Sequence, residues 1–259
     1  MKAIFYPPAQ AFLCYHEFSG RKPTHVYLAG IGGGSTGVYP GLIHNSELAS
    51  YHTLMPDFLG FGYSDRPDDF GYTIDEHADS ITHLLDQLQV TGCTVIGASM
   101  GGAVAITLAT KRADLVGRLI LAEGVLDAMD PLEIASQSEE QYIAGGHRIF
   151  LEQFRQMILQ SPHPNDLIFG LMCKLVPPRA FHRSAVSMAK GANPTWREQL
   201  YQLKIPRLYI WGSENLRSEY TETLTEHGVQ IAVVPHAGHP MMNHNPADFV
   251  RVISEFITH

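Results

Sequence analysis

One segment constrains the fold of this chain more than any other. Thr94-Val95-Ile96-Gly97-Ala98-Ser99-Met100-Gly101-Gly102 reads as an apolar strand, a Gly-x-Ser-x-Gly turn, and a helix of small apolar residues. A serine at a tight strand-to-helix turn projects its hydroxyl above the sheet. The flanking glycines let neighbouring elements approach, and the helix start leaves free backbone N–H groups beside the hydroxyl. Such pentapeptides also arise by chance, and the strand before this one and the helix after it argue against chance.

The rest of the chain is compatible with that nucleus. Ala3–Tyr6 and Ala11–Phe18 flank Pro7-Pro8 and read as an antiparallel hairpin. Short apolar runs follow at Val26–Ala29, His52–Met55, Thr94–Ile96, Leu119–Ala122, Leu208–Trp211 and Ile231–Val234. Uninterrupted apolar strands of this kind suit a parallel sheet covered on both faces. Helical patterns lie between several of them. Asp75–Leu88 carries Ala78, Ile81, Leu84, Leu85 and Leu88 on one stripe behind Thr73 as N-cap, Met100–Thr110 ends at Lys111-Arg112, and a last helix starts near Pro246. The alternation predicts an α/β fold, with a mostly parallel central sheet flanked by helices and ligands at the carboxyl ends of the strands.

One interval breaks the rhythm. More than 80 residues separate Leu119–Ala122 from Leu208–Trp211, with helical patterns near Glu139–Leu159, Asp166–Leu175 and Arg179–Lys190. That is far beyond an ordinary crossover. Residues 127–200 are expected to form an inserted helical cap, leaving 1–126 and 201–259 as the core.

Composition adds exclusions. The 259 residues carry 18 Lys+Arg against 26 Asp+Glu, a net charge of −8, with no basic block, which argues against a nucleic-acid or anionic-membrane partner. Cysteines at 14, 93 and 173 are odd in number and lack metal-binding spacing, so neither a disulfide framework nor a zinc site is expected. Pro7-Pro8 interrupts any signal-peptide apolar region, and no run approaches the ~18 apolar residues of a membrane span. A soluble, cytoplasmic protein acting on a small molecule is the expectation.

A serine nucleophile needs a base. Of 14 histidines, His239 follows the last apolar strand in Pro235-His236-Ala237-Gly238-His239-Pro240, on a loop at a strand's carboxyl end. His236 is its nearest competitor, and His16, His77 and His83 read as ordinary surface or helix-face residues.

Taken with Asp57-Phe58-Leu59-Gly60-Phe61-Gly62-Tyr63-Ser64, these pieces resemble the α/β-hydrolase superfamily over nearly the whole chain. The strand ending in Asp-x-x-Gly-x-Gly-x-Ser, the serine turn and the late Gly-His stand in that family's order. The resemblance implies a Ser-His-acid triad and a cap between the sixth and seventh strands. The acid departs from the commonest pattern. The family usually places Asp after the seventh strand, where this chain has Trp211-Gly212-Ser213-Glu214-Asn215, and Asn215 cannot carry the charge that stabilises an imidazolium. Glu123 closes the sixth strand after four apolar residues, a place that calls for a partner, and some family branches use that position for the acid. Glu123 is the expected acid and Glu214 the alternative.

The oxyanion donors are expected from Met100 N–H, directly after Ser99, and from the loop after Val26–Ala29, where Ile31 N–H is the first candidate and Gly32 the second. The same loop satisfies Gly-x-Gly-x-x-Gly at 32–37, with Asp57 20 residues on, which matches a dinucleotide fingerprint on paper. Pro40 and Gly41 interrupt the helix that reading needs, and it leaves Ser99 and His239 unexplained.

Phe150, Phe154, Met157, Phe169, Met172, Phe181 and Met188 are expected to pack the cap on itself, some of them facing Ser99 as an apolar lining. The resemblance therefore implies a serine hydrolase without metal or organic cofactor, acting on small carboxylic esters or lactones. A C–C bond hydrolase or cofactor-free lyase would use the same residues, and a ligand-binding protein with little turnover could keep the same fold.

Overall fold

The computed structural model describes residues 1–44, 46–129, 134–163 and 166–258. Strands β1 (Lys2–Tyr6) and β2 (Ala11–Phe18) form the expected hairpin. They are followed by β3 (Arg21–Leu28), β4 (Tyr51–Pro56), β5 (Cys93–Ala98), β6 (Val116–Ala122), β7 (Arg207–Gly212) and β8 (Gln230–Val234). All lie in one sheet of order β1-β2-β4-β3-β5-β6-β7-β8. The β1–β2 and β2–β4 pairings are antiparallel, and the pairings from β4 through β8 are parallel.

The helices in chain order are α1 (Ser35–Val38), α2 (Pro40–His44), α3 (Ile74–Gln87), α4 (Met100–Lys111), α5 (Glu139–Gln141), α6 (His147–Gln160), α7 (Asp166–Cys173), α8 (Pro178–Lys190), α9 (Trp196–Gln202), α10 (Ser218–Glu226), α11 (Met241–His244) and α12 (Pro246–Thr258). None of the described helices is long and apolar enough to cross a membrane.

The apolar runs are uninterrupted because the sheet is buried on both faces. Val26, Leu28, Val95, Leu119, Leu121, Tyr209 and Trp211 join one buried cluster with α3 and α4. Their alternating neighbours Tyr27, Ile96, Ile120, Leu208 and Ile210 join a second cluster with α12. At the start of α3, Thr73 Oγ1 accepts from Glu76 N–H (3.2 Å) while Glu76 Oε2 accepts from Thr73 N–H (3.1 Å), a reciprocal cap.

Two features of the topology locate the functional region. First, β3 pairs with β4 on one side and β5 on the other, so the chain reverses its direction of travel across the sheet there. Such a reversal leaves a crevice at the carboxyl ends of the strands, and the Gly30–Gly34 loop and Ser99 both sit at it. Second, Ala98, Ala122 and Ile210 are in register across β5, β6 and β7, so the residues that follow them emerge side by side.

Helices α5 to α9 lie between β6 and β7. The pattern over Glu139–Leu159 resolves into α5, a π-helical turn at Tyr142–Gly146, and α6, because Ala144-Gly145-Gly146 weakens regular α-helix there. Arg197 pairs with Asp127 across the two ends of this interval, and Tyr220 OH donates to the same carboxylate (2.7 Å). Arg179 and Arg183 both pair with Glu139, and Arg179 also reaches the exposed Asp68, before α3. His77 is fully buried among Phe58, Phe61, Phe70 and Tyr72, so it is a core histidine on α3, and burial pushes its pKa down to about 3.

Candidate active site

Ser99 occupies the junction of β5 and α4 with φ 52° and ψ −120°, a conformation that costs a side-chain-bearing residue on the order of 1–3 kcal/mol. Surrounding bonds enforce it. Ser99 N–H donates to Ala122 O (3.1 Å), and Ser99 O accepts from both Gly102 N–H (2.9 Å) and Val125 N–H (3.1 Å). The turn is thus stitched to the end of β6. Gly101 lies directly against the Leu28 and Ala29 carbonyl oxygens, an approach that any Cβ would block. Ser99 itself remains partly exposed.

Glu123, one residue past β6, also has positive φ (42°) and turns its carboxylate toward the last two strands. Oε1 accepts from Gly212 N–H at 2.9 Å, and Oε2 accepts from Asn215 Nδ2 at 3.0 Å and from His239 Nδ1 at 2.7 Å. Burial pushes this carboxyl up, but the bonds from His239, Gly212 and Asn215 outweigh it, and its pKa lies below the usual glutamate value. The carboxylate is 7% exposed and the His239 side chain 54%. A bond to Nδ1 assigns the proton there and leaves Nε2 as the ring's free acceptor.

The alternatives separate cleanly. Glu214 is exposed, and its Oε2 lies 3.1 Å from where a Cβ on Gly238 would stand. His236 is exposed with φ 52°, and the imidazole bonded to Glu123 is that of His239. Sequence reasoning missed the part played by Asn215: at the family's usual acid position it donates its side-chain amide to Glu123, one strand over. An amide conserving the shape of Asp was the available signal.

The loop after β3 comes to Ser99 from the other side. A Cβ on Gly30 would lie 3.1 Å from Ser99 Cβ, so only glycine permits this approach without displacement. Gly33 N–H donates to Gly30 O (3.1 Å) and Gly32 has φ 84°, which makes Ile31 the second residue of a tight turn. Met100 is the first residue of α4, where an N–H has no partner within the helix. Helices of the interval rest on the loop. A Cβ on Gly32 would meet Cys173 Sγ at 2.6 Å, one on Gly33 would meet Phe169 at 3.2 Å, and one on Gly37 would meet Met172 at 2.8 Å. Phe169, Met172 and Phe181 thus touch the loop, whereas Met157 is 57% exposed.

Asp57 is committed elsewhere. Its Oδ1 accepts from Thr36 N–H (3.0 Å), and its Oδ2 from Thr36 Oγ1 (2.6 Å) and Tyr63 N–H (2.8 Å), and the Asp57 side chain is fully buried. It fastens β4 to α1 and has no carboxylate oxygen to offer a ribose. With α1 only four residues long, the glycine run is a loop support, not a nucleotide cradle. Among the described residues, no group of three or more His, Cys, Asp or Glu is arranged to hold a metal ion.

Comparison with known proteins bears on the fold and the family. An uncharacterised protein of Mycobacterium tuberculosis is 28% identical over 283 aligned positions, covering 97% of this chain and 82% of the relative. The 2-hydroxymuconate semialdehyde hydrolase of Pseudomonas sp. strain CF600 is 27% identical, over 73% of this chain and 63% of its own. Among solved structures, an esterase from Exiguobacterium antarcticum superposes with a TM-score of 0.83 at 19% identity, covering 100% of this chain and 99% of that one. The profile of the alpha/beta hydrolase fold matches residues 26–240, and the chain belongs to that family of hydrolases.

Proposed function

We propose that this protein is a serine hydrolase of small carboxylic esters or lactones, working through Ser99, His239 and Glu123. The observation that carries this reading is the 2.7 Å bond between His239 Nδ1 and the buried Glu123 carboxylate, one strand away from a serine in a strained strand-to-helix turn. In the proposed reaction, His239 Nε2 takes the Ser99 proton as Oγ attacks the carbonyl carbon. The carbonyl oxygen becomes an oxyanion held by the N–H groups of Met100 and Ile31. Collapse expels the alcohol, which receives the proton from His239, and leaves Ser99 acylated. Water, activated by His239, then releases the acid and restores the serine. Glu123 keeps the imidazole in the productive tautomer and stabilises its cation.

The helices over residues 139–202 serve in this reading as a cap, and Phe169 and Met172 against the oxyanion loop support an apolar lining for a small-molecule substrate. Hydrolysis of a C–C bond by the same residues is the second reading, favoured by the similarity to the semialdehyde hydrolase.

A fluorophosphonate probe tests the nucleophile. Labelling of the wild type that disappears in Ser99→Ala is expected. Absence of labelling in folded wild type would sink the catalytic reading. Turnover of p-nitrophenyl esters of graded acyl length and of lactones, compared with a vinylogous 1,5-diketone, separates the two substrate classes.

A further inference from the structure

A second histidine lies behind the first. His244, on α11, accepts the N–H of Gly238 at its Nδ1 (3.1 Å), and Gly238 immediately precedes His239. That bond leaves the ring proton on Nε2, which faces Asp166 Oδ2 at 3.4 Å. Asp166 belongs to α7, in the interval between β6 and β7, 78 residues away in sequence. Its Oδ2 also accepts from Ser161 Oγ (2.5 Å), and its Oδ1 faces Asn243 Nδ2 (3.4 Å). His163 closes the arrangement from the interval side, its ring stacked on His244 with centroids 3.7 Å apart and planes 15° from parallel. Both members of the pair are nearly out of solvent, the His244 side chain 11% and that of Asp166 8% exposed.

We propose that His244 is a positioning residue for His239 and that Asp166 holds it in place, so that seating of the helical interval and setting of the base are one event. The proposal rests on the reading of His239 as the base. His239 is more than half exposed and its ring bonds to Glu123, so its placement depends on the supports of the loop that bears it, among them Glu214 N–H on Ala237 O (3.1 Å). Gly238 N–H supplies another through His244. The Ser161–Asp166 clamp ties that support to the segment whose helix α7 touches the oxyanion loop through Phe169 and Met172. A displacement of the interval would therefore reach both the loop at Gly33–Gly37 and the base at His239. The two sets of contacts share α7, and neither involves the reacting atoms.

Four variants in the full chain test this: His244→Ala, His244→Asn, Asp166→Ala and Asp166→Asn. They are compared by kcat and KM on a p-nitrophenyl ester and by hydrogen–deuterium exchange of peptides covering 237–240. An asparagine Oδ1 occupies the place of the imidazole Nδ1 and can still accept from Gly238. His244→Ala is expected to lower kcat about 10- to 100-fold with KM within about threefold, the cost of a misplaced base. His244→Asn should recover most of that loss. Asp166→Ala should lower kcat in the same sense and speed exchange at 237–240, with Asp166→Asn between it and the wild type. Unchanged exchange and unchanged kcat in Asp166→Ala would overturn the coupling. Equal losses in His244→Ala and His244→Asn would overturn the part assigned to the Gly238 bond. If the wild type turns over no ester while exchange responds as described, the reaction assigned to the site fails and the support of the His239 loop by Asp166 and His244 stands.

Discussion

Asn215 donates its side-chain amide to Glu123 at 3.0 Å, on the same carboxylate oxygen that His239 contacts. A residue just beyond β7 thus donates to the carboxylate just beyond β6. An Asn there lacks charge but keeps a donor, and Glu is one methylene longer than Asp. Glu123 closes the neighbouring strand and carries its carboxylate to His239 and to Gly212 N–H, at the end of β7, together.

This division of labour makes the two glutamates unequal. Glu123→Gln should lower kcat by about 10² to 10⁴, because the imidazole loses its charge partner and its tautomer control. Glu214→Gln should stay within about threefold of wild type, since Glu214 is exposed and the carboxylate bonded to the His239 ring is that of Glu123. Steady-state hydrolysis of a p-nitrophenyl ester by both variants decides; equal, small losses would remove Glu123 from the triad.

The depressed pKa of Glu123 has a consequence for stability against acid. Its value lies below the ordinary 4.5, so the ionised form is favoured in the folded state. The stabilisation it brings is complete above about 4.5 and is lost as pH falls through the lower folded value. Asp57 acts in the opposite sense: burial raises it, so its contribution is present below 3.8 and declines as pH rises through its folded value. The difference in unfolding free energy between wild type and Glu123→Gln isolates the first. Measured in urea from pH 6 downward, that difference should shrink below about pH 4.5, and a constant difference would contradict the assignment.

Ser99→Gly should separate stability from activity. Glycine adopts φ 52° without strain, so this variant should gain about 0.5–1 kcal/mol of stability while losing all fluorophosphonate labelling. Ser99→Ala, which keeps the strain, should lose labelling without the gain. Thermal unfolding of both variants against the wild type is the measurement, and a destabilised Ser99→Gly would show that the serine side chain supports the fold.

Gly30→Ala places a methyl 3.1 Å from Ser99 Cβ, a few tenths of an ångström too close. The loop bearing Ile31 must retreat or Ser99 must rotate, and either misaligns donor and nucleophile. A fall in kcat of about 10- to 100-fold with a small change in melting temperature is expected. Unaltered kcat would place the oxyanion donor elsewhere than on this loop.

Much of this site is legible along the chain because its signals are local. A strand that must be apolar on both faces and a turn that needs glycine on both sides of a serine each leave a pattern within a few residues. Thr73 likewise announces the start of α3. Asp57 shows where local reading falls short, for a carboxylate 20 residues after a glycine-rich loop fits a nucleotide fingerprint until Thr36 and Tyr63 are seen to occupy both its oxygens.

What the sequence by itself determined is the class of fold, the strand-to-helix turn at Ser99 and a short choice of partners for it, because backbone sterics and burial act over neighbouring residues. The pairing of Glu123 with His239, 116 residues apart, and of Asp166 with His244 were decided only when the strands took their order. Strand register brings Ala98, Ala122 and Ile210 level, and that alone sets Ser99 beside Glu123 and Glu123 within reach of the loop beyond β8. A carboxylate acquires its role from the donors that surround it, and those donors converge from segments no local pattern connects.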